Sequence, residues 1–405
     1  MATLTEELFN QDARRELLEE ILPFWRQRAV DADRGGFIGE MSNDLRVRSE
    51  ANKGLILNGR ILWTFSAVHR FAGLAEDQSL ARRAYKYLTR YFLDAQHGGF
   101  YWELDPAGGV VDDKKKIYGQ AFGVYALAEY HRTFGDPAAL QLAKDVFHLI
   151  EKHSHDPEHG GYGETLARDW QPCEDVRLSD KDMNEKKSMN NHLHVLEAYT
   201  NLFRVWPDPG LAGRLRELID LFLRRILNRE KTHFNHFFDA AWTPKSDSYT
   251  FGHDIEGSWL LYEAAEVLGD PGLLEPVGKV AVRIAKSVLL EGLDADGGLF
   301  YEGRGGAIVN SDKEWWPQAE AVVGFYSAWQ LSGNEVFRYA ASSCWQFIQQ
   351  RIVDRRHGEW FWKVSADGLP DDTLPKVSIW KCPYHNGRCC LEIIHRTQTV
   401  LNQRK

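Results

Sequence analysis

Apolar residues recur at three-and-four spacing in twelve separate runs of this chain, the period that buries one face of an α-helix. The runs are residues 4–28, 55–71, 79–93, 117–133, 138–152, 189–206, 211–227, 255–268, 273–290, 316–331, 335–352 and 388–401. Short linkers rich in Pro and Gly join some of them, among them Gly135-Asp-Pro137, Trp206-Pro-Asp-Pro-Gly210 and Gly269-Asp-Pro-Gly272. Longer connections alternate with these, at residues 95–116, 154–188, 228–252, 291–314 and 354–384.

The long connections share a turn. Asp31-Ala-Asp-Arg-Gly-Gly-Phe37 returns as Asp94-Ala-Gln-His-Gly-Gly-Phe100 and as Asp156-Pro-Glu-His-Gly-Gly-Tyr162. It recurs, altered, as Asp294-Ala-Asp-Gly-Gly-Leu-Phe300 and Asp354-Arg-Arg-His-Gly-Glu-Trp360. The first residues are separated by 63, 62, 138 and 60 positions, so one copy is missing from the third gap. Its place falls at His233-Phe-Asn-His-Phe-Phe-Asp239, which has lost the glycines. A period near sixty residues marks an array, to be read before any single motif. Six helical hairpins cannot each bury a face alone, whereas closing them into a ring buries an inner layer. No polar capping repeat stands at either end, which favours closure over an open solenoid. The expected fold is all-α, a single (α/α)6 barrel of twelve helices over residues 1–405. In it every long connection joins the first helix of a hairpin to the second, so all lie at one pole. Gly99-Phe-Tyr-Trp-Glu-Leu-Asp105 and Gly298-Leu-Phe-Tyr-Glu302 predict short β-hairpins in that aromatic funnel, where a ligand would bind.

Composition narrows the function. Of the 405 residues 43% are hydrophobic, enough for a large core, and the net charge of −9 is spread without a basic run. That excludes a nucleic-acid surface and leaves a small neutral substrate as the simplest partner. Five cysteines without paired spacing fit a reducing compartment, and Cys389 and Cys390 read as core. There is no signal-peptide pattern and no apolar run of about 18 residues, so a cytoplasmic protein without membrane contact is expected, a monomer or weak homodimer. The 14 Trp, 15 Tyr and 21 Phe fit a packed core, and Trp near polar groups also offers stacking platforms for sugar rings.

The second helix of each hairpin starts at the funnel, and those starts carry polar chemistry. Phe251-Gly-His-Asp-Ile-Glu-Gly-Ser-Trp259 puts His253 and Glu256 three residues apart on one helix face, a mid-range base beside a carboxylate able to orient and charge it. Ser188-Met-Asn-Asn-His-Leu-His-Val-Leu-Glu197 sets Asn190 and His194 one turn apart with Glu197 close by; His192 points elsewhere and reads as packing. Tyr118 starts another helix, and Trp316 and Glu320 share a face on a third. Trp380, Tyr384 and His385 close the set, and Arg60 is a cation within an apolar helix. Three histidines at matching places in three repeats point to one shared site. Three rivals stand beside a proton-transfer enzyme. Zinc held by the histidines and Glu256 lacks close-spaced ligand pairs. An inverting glycoside hydrolase would use Glu256 and Glu320 and leave the histidines without a task. A non-catalytic scaffold explains none of the set.

Five segments then carry a resemblance that runs over nearly the whole chain: Asn58-Gly-Arg-Ile-Leu-Trp-Thr-Phe65, residues 188–199, residues 251–259, Trp315-Trp-Pro-Gln-Ala-Glu320 and Trp380-Lys-Cys-Pro-Tyr-His-Asn-Gly-Arg388. In this order they resemble the N-acylglucosamine 2-epimerase superfamily, and within it the cellobiose 2-epimerase branch. The resemblance implies an isomerase that inverts C2 of the reducing-end glucose in β-1,4 disaccharides through a cis-enediolate. It makes His253 and His385 the acid–base pair, with Arg60, His194 and Glu256 completing the catalytic cage. Trp316 and Trp380 become sugar platforms, and Tyr118, Asp182, Asn190 and Glu320 further substrate contacts. No metal and no nicotinamide cofactor is implied, because the proton returns to the carbon it left. Aldose–ketose isomerases of the mannose type and N-acylglucosamine epimerases remain alternatives on the same scaffold.

Overall fold

The computed structural model describes residues 3–228, 230 and 232–403. Among these the chain forms α1 (residues 6–28), α2 (Leu55–Ala72), α3 (75–92), α4 (Ile117–Phe134), α5 (Pro137–His153) and α6 (Met189–Val205). It continues with α7 (209–226), α8 (Phe251–Leu268), α9 (Pro271–Glu291), α10 (Trp315–Ser332), α11 (335–352) and α12 (His385–Gln403). π turns interrupt or end α1, α3, α7 and α11. The even-numbered helices pack side by side into an inner ring that closes from α12 back to α2, and the odd-numbered ones pack outside. The seam is a direct bond: Asn10 of α1 donates from Nδ2 to Ile394 O at 3.0 Å and Thr397 Oγ1 at 2.9 Å of α12. The chain is the (α/α)6 barrel that its periodicity predicts.

Inner and outer helices bury differently. α4 is buried without a break from Ile117 to Tyr130, and α10 from Trp315 to Ala328, because one side meets the outer layer and the other the barrel axis. α5 buries a stripe only, Ala139, Ala143, Val146, Phe147 and Ile150. At the foot of the barrel α4 and α8 end on Gly135 and Gly269, whose φ of 67° and 68° suits a left-handed helix cap. Asp136 and Asp270 then cap α5 and α9, with Pro in the first turn of each. Each Gly-Asp-Pro linker stops one helix and starts the next.

At the upper pole the repeated turn has a common construction. Asp31, Asp94, Asp156 and Asp354 accept backbone N–H groups two and three residues on. Each also pairs with a buried lysine from the end of its connection: Lys53 at 2.7 Å, Lys115 at 3.0 Å, Lys187 at 2.7 Å and Lys376 at 2.8 Å. The fourth residue of the next inner helix clasps the turn backbone. Gln120 holds Phe100, Gln318 holds Leu299, and His192 accepts the Tyr162 N–H at 2.8 Å. His192 is thus a fastening for the turn. In the degenerate copy Asp254, the fourth residue of α8, is the clasp: it accepts the Phe234 N–H at 2.8 Å and meets His233 Nδ1 at 2.7 Å.

Gly161 in this turn has φ 78°, and a Cβ there would lie 2.5 Å from Trp242 Cζ2 and 2.6 Å from His192 Nε2. Gly161→Ala is expected to cost about 3 kcal/mol from left-handed strain plus overpacking. Urea unfolding reads this as a lower midpoint at constant slope; an unmoved midpoint would mean the turn yields freely.

Two predicted boundaries move. The apolar period starts helices at 255 and 388, but α8 begins at Phe251 and α12 at His385. Their first turns face the barrel axis with polar groups, so periodicity is lost where the chemistry begins. The hairpins also sit later than predicted. Glu103–Leu104 pairs with Val110–Asp112, and Glu302–Arg304 with Ala307–Asn310, because residues 99–100 and 298–299 are used by the turns. At the opposite pole the barrel opens into a cavity of about 670 Å³ lined by arginines and glutamates, away from His194, His253 and His385.

Candidate active site

Counted from the first residue of each inner helix, positions two, six and nine share one face. Position two gives Tyr118, Asn190 and Trp316. Position six gives Arg60, Phe122, His194, Glu256 and Glu320, and position nine gives Trp63, Tyr125, Glu197 and Trp259. Side chains of these layers meet between neighbouring inner helices: Phe122 and His194 rings lie 4.9 Å apart, and Trp63 stacks on Tyr125 at 5.3 Å. A charged layer is sandwiched between two aromatic ones.

Arg388 of α12 organises that layer. Its Nη2 donates to Glu256 Oε1 at 2.6 Å and Glu320 Oε1 at 2.7 Å, while its Nη1 meets Glu197 and the Tyr384 hydroxyl. Three carboxyls therefore share one guanidinium. Burial opposes the charge on Glu197, but Arg388 and then His194 outweigh it and hold that group down at about 2. Burial pushes Glu320 and Glu256 up, and the neighbouring Glu320 pushes Glu256 further. Glu320 accepts from His385, Arg388 and Trp259, whereas Glu256 has the single Arg388 bond and an Oε2 without partner among the described residues. The proton of this pair belongs on Glu256.

The three histidines are held through Nδ1. His194 meets Glu197 Oε2 at 2.8 Å, His385 meets Glu320 Oε1 at 2.7 Å, and His253 meets the Thr250 hydroxyl at 2.6 Å. Burial lowers the proton affinity of all three; neighbouring histidines add to it for His253, Arg60 and Arg388 for His385. All three are neutral imidazoles at neutral pH. With Nδ1–H given to a carboxylate, His194 and His385 keep a free lone pair on Nε2.

One sequence expectation is overturned here. Glu256 does not orient or charge His253: its bonded oxygen faces Arg388, and His253 bonds Thr250. Sharing a helix face brought the two near, but a guanidinium binds a carboxyl group better than a neutral imidazole does. Glu320 is also corrected, from a substrate contact to the group behind His385, its oxygens committed within the protein.

Trp316 lies against both outer histidines, its ring centroid 4.7 Å from His253 and 5.6 Å from His385. Arg60 pairs with no structural carboxylate among the described residues. It donates to the Tyr118 hydroxyl at 2.9 Å and to Trp380 O at 3.5 Å, and its Nε is unpartnered there. Trp380 contacts Trp102 and Tyr118, with centroids at 5.8 and 6.2 Å, forming a side wall. Asn190 stands at position two of α6, its Oδ1 buried and without a partner among the described residues. Asp182 stands in the loop before α6, accepting from Ser179 N and Oγ at 2.8 and 2.7 Å, and its charge is felt by Tyr301, whose ring lies 6.3 Å from that of Trp316. Sequence reasoning gave no role to Arg388 or Thr250, although Arg388 stood in a quoted segment three residues after His385. Glu256, Glu320 and His385 also place donor atoms within 4.8 Å of one another, close enough to share a cation. Arg388 already lies against both carboxyls, and its charge repels one.

Known proteins are similar to this chain over nearly its whole length. The family model of N-acylglucosamine 2-epimerase (GlcNAc 2-epimerase) matches residues 36–386. A cellobiose 2-epimerase of Bacteroides fragilis is 45% identical over 390 residues, covering 96% of this chain and 99% of the relative. The solved cellobiose 2-epimerase of Bacillus thermoamylovorans B4167 superposes with a TM-score of 0.91 at 40% identity, covering 96% of this chain and all of the other. A D-mannose isomerase of Marinomonas mediterranea is 22% identical over 392 residues, covering 93% and 95%.

Proposed function

The chain belongs to the N-acylglucosamine 2-epimerase family, and from that premise we propose that it is a carbohydrate 2-epimerase acting on β-1,4-linked disaccharides such as cellobiose and lactose. It inverts C2 of the reducing-end glucose to give mannose. The observation that carries the reading is Trp316 packed against two neutral histidines from different helices, with the uncompensated Arg60 in the same ring of inner-helix starts. Identity of 45% to a cellobiose 2-epimerase against 22% to a D-mannose isomerase favours the disaccharide over the free hexose.

The chemistry follows from the residues. A ring-opened aldose presents a C1 aldehyde that acidifies the C2 proton. With the sugar stacked on Trp316, one neutral histidine takes that proton through Nε2, and the other, first charged from solvent, returns one to the opposite face. Each positioned proton transfer contributes roughly 10²–10⁴-fold. Arg60, a buried cation without a counter-ion, stabilises the enediolate oxygens, a task worth about 10²–10³-fold. An inverting hydrolase fits poorly. Its two carboxyls stand about 6.5–9.5 Å apart around a water, whereas Glu256 and Glu320 offer oxygens within 4.8 Å, bonded to one nitrogen of Arg388. All six inner helices supply residues to the cage, which supports reading residues 1–405 as one catalytic domain.

NMR of cellobiose incubated with the protein in D₂O tests the reading, beside lactose, mannose and N-acetylglucosamine. The expected product is glucosyl-mannose carrying deuterium at C2. Free glucose, conversion of mannose to fructose alone, or an unlabelled epimer would each overturn it.

A further inference from the structure

His253 and His385 are backed by unlike groups, and the difference lies outside the cage. His385 has the Glu320 carboxylate behind Nδ1, which stabilises a positive ring. His253 has only the Thr250 hydroxyl, at 2.6 Å. Around His253 stand His236 from the loop before α8, His194 from α6, His385 from α12 and the Trp316 ring from α10. None of these supplies negative charge. A proton taken up by His253 has no local counter-ion and must move on.

The route is present. Thr250 closes the strand Ser248–Thr250 and caps α8, so its backbone is fixed from both sides. Its N–H donates to His236 Nε2 at 3.2 Å, and its hydroxyl lies 3.5 Å from the same nitrogen. The accepting bond leaves His236 Nε2 without a hydrogen, ready to receive one. The His236 and His253 rings are edge-on at 5.7 Å, with the Thr250 hydroxyl in contact with both. His236 is half-buried, and burial holds its proton affinity down at about 4, so it passes a proton on and does not keep it.

We propose that Thr250 and His236 are positioning residues that form a proton relay behind His253, carrying charge between that ring and the half-exposed His236. The proposal rests on His253 being one of the two acid–base groups. When His253 Nε2 takes the C2 proton, its Nδ1 proton passes to the Thr250 oxygen and the hydroxyl proton passes to His236 Nε2. His236 then loses its Nδ1 proton to water. In the opposite direction each transfer reverses, and water supplies the proton that His253 delivers to C2. His253 thereby ends each half-reaction neutral, while His385, charged against Glu320, gives its Nε2 proton to the opposite face of C2 and takes up another from water.

Thr250→Val keeps the shape and removes the hydroxyl. It is expected to lower kcat about 100-fold with KM within about twofold, in the range of a lost proton-transfer step. Thr250→Ser restores kcat to within about threefold of the parent. His236→Gln can still accept the Thr250 N–H but cannot pass a proton on, and is expected to lower kcat about 10-fold with KM held. Full turnover in Thr250→Val, or equal losses in the Val and Ser variants, would overturn the relay. So would full turnover in His236→Gln. Should His253→Ala itself keep parental turnover, the acid–base reading fails instead, which separates the two.

Discussion

His253→Ala and His385→Ala are each expected to lose about 10³-fold in the conversion of cellobiose to glucosyl-mannose while staying folded. The loss follows from removing one of two positioned proton-transfer groups. The folded state should survive, because neither ring carries the barrel. Without His385, Glu320 still accepts from Arg388 and Trp259. Without His253, Thr250 keeps its bond to His236. Timed product analysis gives the rates, and thermal melts within a few degrees of the parent establish folding. The pH profile adds a second check. The proton-accepting histidine must be neutral, and burial first, then Arg60 and Arg388, hold His385 well below 6.5. Its neutral fraction therefore stays near one until the pH falls well below the usual histidine range. The acid limb of kcat/KM is expected there, and a limb at or above 6.5 would contradict the neutral cage. Near-parental turnover in either variant would remove that histidine from the mechanism.

Much of the barrel was legible in the sequence because its determinants are local. The three-and-four spacing gave the helices, and the Asp-to-aromatic turn gave the period and the pole. What periodicity missed lies where a helix changes from packing to chemistry. The first turns of α8 and α12, Phe251–Asp254 and His385–Gly387, break the apolar pattern with the polar groups that make the site. The turn lysines, Lys53, Lys115 and Lys187, were invisible for another reason. Each finds its Asp about 20–30 residues away in sequence, and only the folded turn brings them together. The histidines could be chosen by position in the repeat, but their partners could not. Helical spacing says that Glu256 is near His253, yet not that Arg388 from the last helix competes for it. That competitor reassigns Glu256, Glu320 and Glu197 together.

Arg388→Met is expected to destabilise the protein by about 3–5 kcal/mol at pH 7, the scale for stripping the partner from buried charges. Methionine fills much of the same space, so the loss reports charge more than volume. Glu197 and Glu320 would be left buried beside the already protonated Glu256 around an apolar side chain, and at neutral pH they must either stay charged or take up protons to fold. The sign of the pH dependence distinguishes this from simple misfit. In the parent, Glu197 is held at about 2 against a usual 4.5, so its contribution is present above about pH 4.5 and is lost as the pH falls toward 2. In the variant the carboxyls are raised by burial with no cation to offset it. A raised carboxyl binds more protons folded than unfolded, so the variant gains relative stability as the pH falls from 7 toward 5. Urea midpoints for both proteins at pH 7 and pH 5 read the difference, which is expected to shrink at the lower pH. Equal midpoints at pH 7, or a gap that widens on acidification, would mean that Arg388 is not what holds the three carboxyls together.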